Sequence, residues 1–175
     1  MNIININGPI NAGKTTMSLI LREMLDNCLF IEVDDLLSDN EQEKLHLSVK
    51  QGWAERVSRL ASLVEQHKLS HTYQNIIFAY PMTDKLYHRW KSWEDAQTKF
   101  INITLAPKLD VCLKNRGTRI LSEAEKTRIK QMYFEGYHCS KFADLILDNS
   151  LQTPQQTAQI IAEFIRQKTF KKGTI

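Results

Sequence analysis

The chain has 175 residues, 42% hydrophobic and 25% charged, with a formal net charge of +3, an ordinary balance for a globular protein and long enough for a full hydrophobic core. The slight positive excess suits anionic ligands but does not by itself mark a nucleic-acid binder. The three cysteines (Cys28, Cys112 and Cys139) lack C-x-x-C spacing, which argues against a disulfide framework or zinc site, and no apolar run has the length of a membrane span.

The first elements fix the rest. Ile3-Ile4-Asn5-Ile6-Asn7 supplies a β-branched strand, and Met17, Ile20, Leu21 and Met24 recur at helical spacing. Between them lies Gly8-Pro9-Ile10-Asn11-Ala12-Gly13-Lys14-Thr15-Thr16, the G-x-x-x-x-G-K-T pattern of a phosphate-binding loop. Gly8 and Gly13 permit positive φ and close approach to an anion. Successive N–H groups, those of Asn11, Ala12 and Thr16 included, are expected to cradle phosphate oxygens. Lys14 is placed to reach the β and γ phosphates, the Thr15 hydroxyl to ligate Mg²⁺, and the following helix presents its positive end to the same anion. ATP and Mg²⁺ are the cofactors this implies.

Cys28 to Val33 reads as a second buried strand ending at Asp34-Asp35. Strand–helix alternation of this period predicts βαβ units and a mostly parallel α/β sheet, with the site beyond the carboxyl ends of the strands. Glu32, Asp34 and Asp35 then share a rim with the phosphate loop. Capping a helix that begins near Leu36 is the plain alternative for either aspartate. Residues 38 to 52 are polar and then amphipathic, an exposed excursion over the rim where an acceptor could be gripped. Trp53, Val57, Leu60 and Val64 mark a buried helix face, with Arg56 and Arg59 off it and solvated. His67 and His71 stand four apart, but no carboxylate nearby completes a metal site.

Asn75 to Ala79 is the third strand, and Tyr80 to Thr83 its exit loop, because Pro81 cannot continue a central strand. Thr83 or Asp84 caps a helix carrying Leu86 and Trp90; Trp90 and Trp93 are expected in the core or packed under a lid rather than against a base. Tyr80 sits at the rim within reach of a substrate, and a nucleoside kinase would need one of these three rings as its stacking pocket. Lys99 to Leu105 is the fourth strand. A helix from Lys108 carries Leu109, Cys112 and Leu113 and runs into Asn115-Arg116-Gly117-Thr118-Arg119, where Gly117 breaks it. Ser122 and Glu125 form a capping box for a helix ending near Gly136. An arginine-bearing turn between two helices suits a closing lid, placed around 115–128: arginine neutralises charge on a moving phosphoryl group, and closure excludes water. Ala143 to Asp148 is the fifth strand, with Asn149-Ser150 at the rim. Thr153-Pro154-Gln155-Gln156 opens a last helix buried through Ala158, Ile161, Ala162 and Ile165. The cysteines lie in or beside apolar segments and are expected to be buried or partly so. Lys168, Lys171 and Lys172 form a solvated tail.

These motifs resemble the P-loop small-molecule and nucleotide kinases, most nearly the chloramphenicol phosphotransferase-like and shikimate kinase-like branch, over nearly the whole chain. Glu32-Val33-Asp34 followed by Leu37 is similar to D-x-D-x-x-I and V-D-x-L-I motifs of those enzymes. The resemblance implies that Asp34 stands at the substrate-hydroxyl carboxylate and Glu32 at the Mg²⁺-water carboxylate. It implies that Arg116 and Arg119 are lid and adenine-side arginines, and that Asn149 and Ser150 belong to an adenine-lining segment. It also implies a three-layer P-loop fold, five strands in the order 2-3-1-4-5 with helices on both faces. The chain departs from the pattern at the third strand, which ends in Phe78-Ala79-Tyr80 without an Asp, and in lacking a triple glycine.

The expected activity is transfer of the γ-phosphoryl of Mg-ATP to a hydroxyl of a small molecule, catalysed through Lys14, Asp34, Arg116 and Arg119, with Thr15 and Glu32 on the metal. Two alternatives stand beside it: a nucleoside or nucleotide kinase, and a nucleotide-binding regulatory module with weak ATPase activity. No N-K-x-D guanine motif occurs. A single cytoplasmic domain spanning 1–175, with no nucleic-acid or membrane partner, completes the reading; the N-terminus enters its first strand with no basic leader.

Overall fold

Strand β1 (Asn2–Asn7) sits at the centre of a five-stranded sheet. The computed structural model describes residues 1–115 and 119–170, of Phe170 the backbone alone. After β1 come α1 (Lys14–Met24), β2 (Cys28–Ile31), a 3₁₀ turn over Asp34–Leu36, α2 (Asp39–Lys44) and α3 (Val49–Ser70). Then follow β3 (Asn75–Ala79), α4 (Asp84–Lys91), β4 (Lys99–Leu105), α5 (Leu109–Cys112), α6 (Glu123–Phe134), β5 (Leu145–Leu147) and α7 (Pro154–Phe170). All the pairings are parallel and the order is β2-β3-β1-β4-β5, as the sequence implied.

The alternation within β1 sorts its side chains between two cores. Ile4 and Ile6 face Met17 and Leu21 of α1, Ile129 of α6, and Ala158, Ile161 and Ile165 of α7. Ile3 faces Val57, Leu60 and Val64 of α3 and the Trp90–Trp93 pair, whose rings stack at 5.6 Å. Each buried isoleucine of β1 contributes about 2 kcal/mol by burial. Both tryptophans are core residues and offer no face to a nucleobase.

Toward its carboxyl end, the Ile3 face of the sheet turns polar. Asn5 and Asn7 stand in register with Asn102 and Thr104 and donate to them, each at 2.9 Å. Buried amides are tolerable only when bonded. Here the remaining capacity is spent on the exit loop of β3. Asn5 accepts from Tyr80 N and donates to Tyr80 O, both at 3.1 Å, and Asn7 accepts from Met82 N at 2.8 Å. The loop is thereby fixed one turn beyond the last ladder bond.

Several elements differ from expectation for physical reasons. β2 and β5 are the sheet edges and are shorter than their apolar runs, and Cys28, Leu29 and Phe30 are only half-buried. Neither Asp34 nor Asp35 caps a long helix: they sit in the 3₁₀ turn, and Ser38 caps α2 by accepting from Glu41 N. α5 ends at Cys112 because Asn11, from the phosphate loop, donates to both Cys112 O and Lys114 O at 2.9 Å and ends the helix there. Cys139 is exposed, against the expectation of a buried or partly buried thiol, whereas Cys112 is buried and Cys28 half-buried. Arg56, expected in solvent, is buried; Arg59 spans Glu41 and Glu55. The caps at Thr83, Ser122 and Thr153 form as read. His71 ends α3 in the left-handed region and His67 packs on Tyr73, so the pair makes no metal site.

Candidate active site

At the end of β1 the chain enters the phosphate loop through Gly8, at φ 137°. A Cβ there would lie 2.5 Å from Leu105 O of β4, so the loop can seat against the sheet only with glycine. Asn11 and Gly13 also take positive φ, 64° and 92°, which curls the loop over the end of α1. No side chain caps α1 and its first turn holds no acid. Its N-terminal amides thus face the cleft without an internal partner, the condition for anion binding at a helix start.

Lys14 opens α1 and donates to Pro9 O at 2.8 Å. Burial pushes its ammonium down to about 8; Arg119 adds to this, while Cys112, Asp34 and Glu32 oppose it. Arg119 and the carboxylates of Asp34 and Glu32 are therefore all within electrostatic reach of the lysine. Glu32 is pushed up by its own burial and by the neighbouring carboxylates of Asp34 and Asp35, against hydrogen bonds from the Asp34 and Val33 amides.

Lys14 lines a cleft of about 470 Å³. Asn11, Gly13 and the run from Lys14 to Met17 form one wall, and Arg119, Asn149, Gln152, Pro154 and Thr157 the other. Thr15 and Thr16 are exposed at its floor. Asn149, 5% exposed, donates to Ala12 O at 3.1 Å, while its Oδ1 is buried with no partner among the described residues. Ser150 is not in the lining: its hydroxyl donates to Asp148 and accepts from Lys108 N at 2.7 Å, tying the ends of two strands together. Arg119 reaches across to Glu125 at 2.6 Å, the same carboxylate that closes the α6 capping box and that this guanidinium holds well below the usual range. Arg116 lies outside the described residues.

A separate pocket of about 350 Å³ opens on Asp34, lined also by Leu37, Ser38, Asp39, Trp53 and Arg56. Arg56 builds it. The guanidinium donates to Leu37 O at 2.6 Å, Asp34 O at 3.4 Å and Gln42 Oε1 at 3.0 Å, and lies 5.1 Å from the centre of the Trp53 ring. Gly52, inside α3, makes this possible, since a Cβ there would stand 2.2 Å from Gln42 Oε1. Trp53 meets Tyr80 edge-on at 6.1 Å. Burial raises the Tyr80 phenol, and Tyr137 and Asp34 add to the shift.

Sequence reasoning missed Arg56 and Asn5. A glycine within the 22 residues of α3, where it costs about 1 kcal/mol relative to alanine, was the available sign of a close approach. For Asn5 the sign was an amide in an otherwise apolar central strand.

Among the described residues no group of three or more His, Cys, Asp or Glu side chains is arranged to hold a metal. The donors present do fit a Mg²⁺ that takes most of its ligands from phosphate and water. Thr15 offers a hydroxyl beside Lys14, and Glu32 is a carboxylate whose own burial and the nearby carboxylates of Asp34 and Asp35 disfavour its charge, which a bound cation would relieve.

A parallel sheet ordered 2-3-1-4-5, with a glycine loop and lysine at the start of α1, defines the P-loop kinase fold. The chain belongs to the AAA domain family, whose model matches residues 4–130. No curated protein matches the sequence. Among solved structures it is similar to a gluconokinase from Sinorhizobium meliloti 1021, with TM-score 0.65 and 12% identity over 99% of this chain and 98% of that one. It is similar to the shikimate kinase from Acinetobacter baumannii in complex with shikimate, with TM-score 0.61, 18% identity and coverages of 97% and 94%. It is also similar to the tunicamycin resistance protein of Deinococcus radiodurans, with TM-score 0.60, 21% identity and coverages of 94% and 95%. No helix among the described residues is long and apolar enough to cross a membrane.

Proposed function

We propose that the protein is a phosphotransferase that moves the γ-phosphoryl of ATP to a hydroxyl of a small molecule. The observation that carries this is Lys14 in the lining of a cleft edged by Arg119 and Asn149, with the carboxylate of Asp34, which lines a separate pocket, within electrostatic reach. A bare ATPase has no use for the second pocket.

The amides of Gly8, Asn11, Ala12, Gly13 and Thr16 bind the phosphate chain with Lys14. Asn149 Oδ1 accepts from the exocyclic amine of adenine, and Ser150 holds the loop that carries Asn149. Asp34 aligns the acceptor hydroxyl and takes its proton as the new O–P bond forms. The bond from the γ-phosphorus to the bridging oxygen breaks, and ADP leaves. Arg119 releases Glu125 and neutralises the transferring charge, a role Arg116 shares by the kinase resemblance, in a lid around 115–128. Thr15 and Glu32 would hold Mg²⁺, directly or through water; when bound, the ion neutralises charge on the β and γ phosphates. Most of the acceleration in such a site is positioning and electrostatics.

The whole of 1–175 then works as one domain, cytoplasmic, with no nucleic-acid or membrane partner. A nucleoside as acceptor is the second reading, favoured by the aromatic wall of Trp53 and Tyr80. ADP release from Mg-ATP, measured across hydroxylated metabolites, nucleosides and aminoglycoside or phenicol antibiotics, tests both. Stimulation by one class above the no-acceptor rate is expected. A melting-temperature gain with ATP but no stimulation throughout the panel is the result that favours a regulatory nucleotide-binding module.

A further inference from the structure

We propose that the acceptor is a ring-bearing alcohol without an acidic group, stacked on Trp53 and excluded from carrying a carboxylate or phosphate by the charge of the second pocket. This rests on the phosphotransferase reading and names its substrate class.

The pocket's walls are carboxylate and aromatic. Asp34 and Asp39, both exposed, line it, and the carboxylates of Asp34 and Asp35 are close enough to Glu32 to push its carboxyl up. The lining contains one cation, Arg56, and that cation is already committed. It is 8% exposed, its Nε, Nη1 and Nη2 each donate to an oxygen of the turn or of α2, and its Nη2 stands 3.8 Å from Asp39. Turning it toward an acidic acceptor would break three bonds and release the segment 34–42 that forms the pocket. Arg59, one turn further along α3, is bound to Glu41, Glu55 and Leu36 O and has no place in the lining. Arg119 and Lys14 line the other cleft, where the nucleotide phosphates claim them.

An acid in the second pocket would meet the two carboxylates of Asp34 and Asp39 with no free donor cation among the described lining residues. A neutral or amine-bearing alcohol meets hydroxyl acceptors and a platform instead. Trp53 supplies that platform: it is 41% exposed, while Trp90 and Trp93 are buried, and with the Arg56 guanidinium lying 5.1 Å over its ring the opposite face is the one left for a ligand. An indole face suits the C–H face of a sugar or cyclitol ring, or a planar ring.

The test uses matched compounds on one ring: glucose, glucosamine and glucuronate; methyl shikimate and shikimate; uridine and uridine 5′-monophosphate. Two readouts are taken on the full chain, ADP release with Mg-ATP and quenching of Trp53 fluorescence. A Trp53→Phe variant identifies the Trp53 signal. Within each responding set the acid-free member is expected to exceed its acid at least tenfold in kcat/KM or affinity, and Asp39→Asn to narrow that gap several-fold. An acid that equals or surpasses its neutral partner overturns the inference while leaving phosphotransfer standing. Quenching in the expected order without ADP release leaves the charge rule standing and removes phosphotransfer. If no acid-free compound binds or reacts, the inference falls.

Discussion

The cleft lined by Lys14 and the separate pocket at Asp34 are built by different means. The nucleotide side is backbone: positive-φ residues, uncapped amides, and a glycine pressed on Leu105. The pocket proposed for the acceptor is a side-chain clasp in which Gly52, Gln42 and Arg56 bind the Asp34 turn to α3. A backbone cradle binds any polyphosphate and tolerates little change. A clasp of side chains sets one pocket shape and can be rebuilt without disturbing the cradle. On the proposed function, phosphate affinity and acceptor choice should then be separable in this chain.

The largest effect is expected at Lys14. Lys14→Met should cost about 10²–10³-fold in turnover, because one preorganised charge at the transferring group is lost, with every acceptor affected alike. Steady-state ADP release checks it, and an acceptor-dependent loss would break the separation.

Gly8→Ala comes next. Its Cβ would strike a carbonyl at 2.5 Å, at a φ that alanine rarely adopts. A loss of about 1–3 kcal/mol in denaturant unfolding is expected, with weakened ATP binding. Gly52→Ala should cost a similar amount or less, because the side chain it strikes can move, and it should raise the acceptor KM without changing ATP affinity. Equal damage to both constants would show that the two sides are coupled.

A comparable effect on stability is expected from Arg56→Met. It leaves Leu37 O and Asp34 O without their donor, which costs about 1–3 kcal/mol. The acceptor KM should rise, and the ATP-induced shift in melting temperature should stay as in the parent.

The pH dependence is the subtlest. Lys14 falls from 10.5 to about 8 on folding. Below pH 8 both states hold the proton, and the folded one bears the cost of burying the charge. Between about pH 8 and 10.5 the unfolded chain keeps a proton the folded protein has released, so this residue's contribution makes stability rise with pH in that window. ATP reverses the preference, since phosphate favours the ammonium. The ATP-induced gain in melting temperature should therefore shrink as pH rises through about 8, and Lys14→Met should remove that trend. Melting curves at several pH values, with and without Mg-ATP, decide it.

The same contrast explains what could be read in the chain. The phosphate loop and the caps at Thr83, Ser122 and Thr153 were legible because each is a short-range pattern whose residues answer a local backbone need. The sheet order followed from the kinase resemblance, and the strands from apolar runs that failed only at the edges. The clasp was not legible, because it joins Gln42 to Arg56 across two helices and a turn, and Arg56 at helical spacing looks like any exposed cation. Nor was the end of α5, which Asn11 sets from a hundred residues away. Asp34 was legible as a rim carboxylate, while the pocket around it emerged only from packing.

The most direct test of the central claim follows the γ-phosphate itself. Labelled ATP would be incubated with the acceptor that stimulates ADP release, using the parent protein and Asp34→Asn, and the label traced to acceptor or to free phosphate. Label esterified to the acceptor by the parent is expected. Asp34→Asn should show a loss of about 10²–10⁴-fold while its melting temperature still rises with ATP. Label found only as inorganic phosphate, or transfer undiminished in Asp34→Asn, would contradict the assignment of the second pocket to the acceptor and of Asp34 to its hydroxyl.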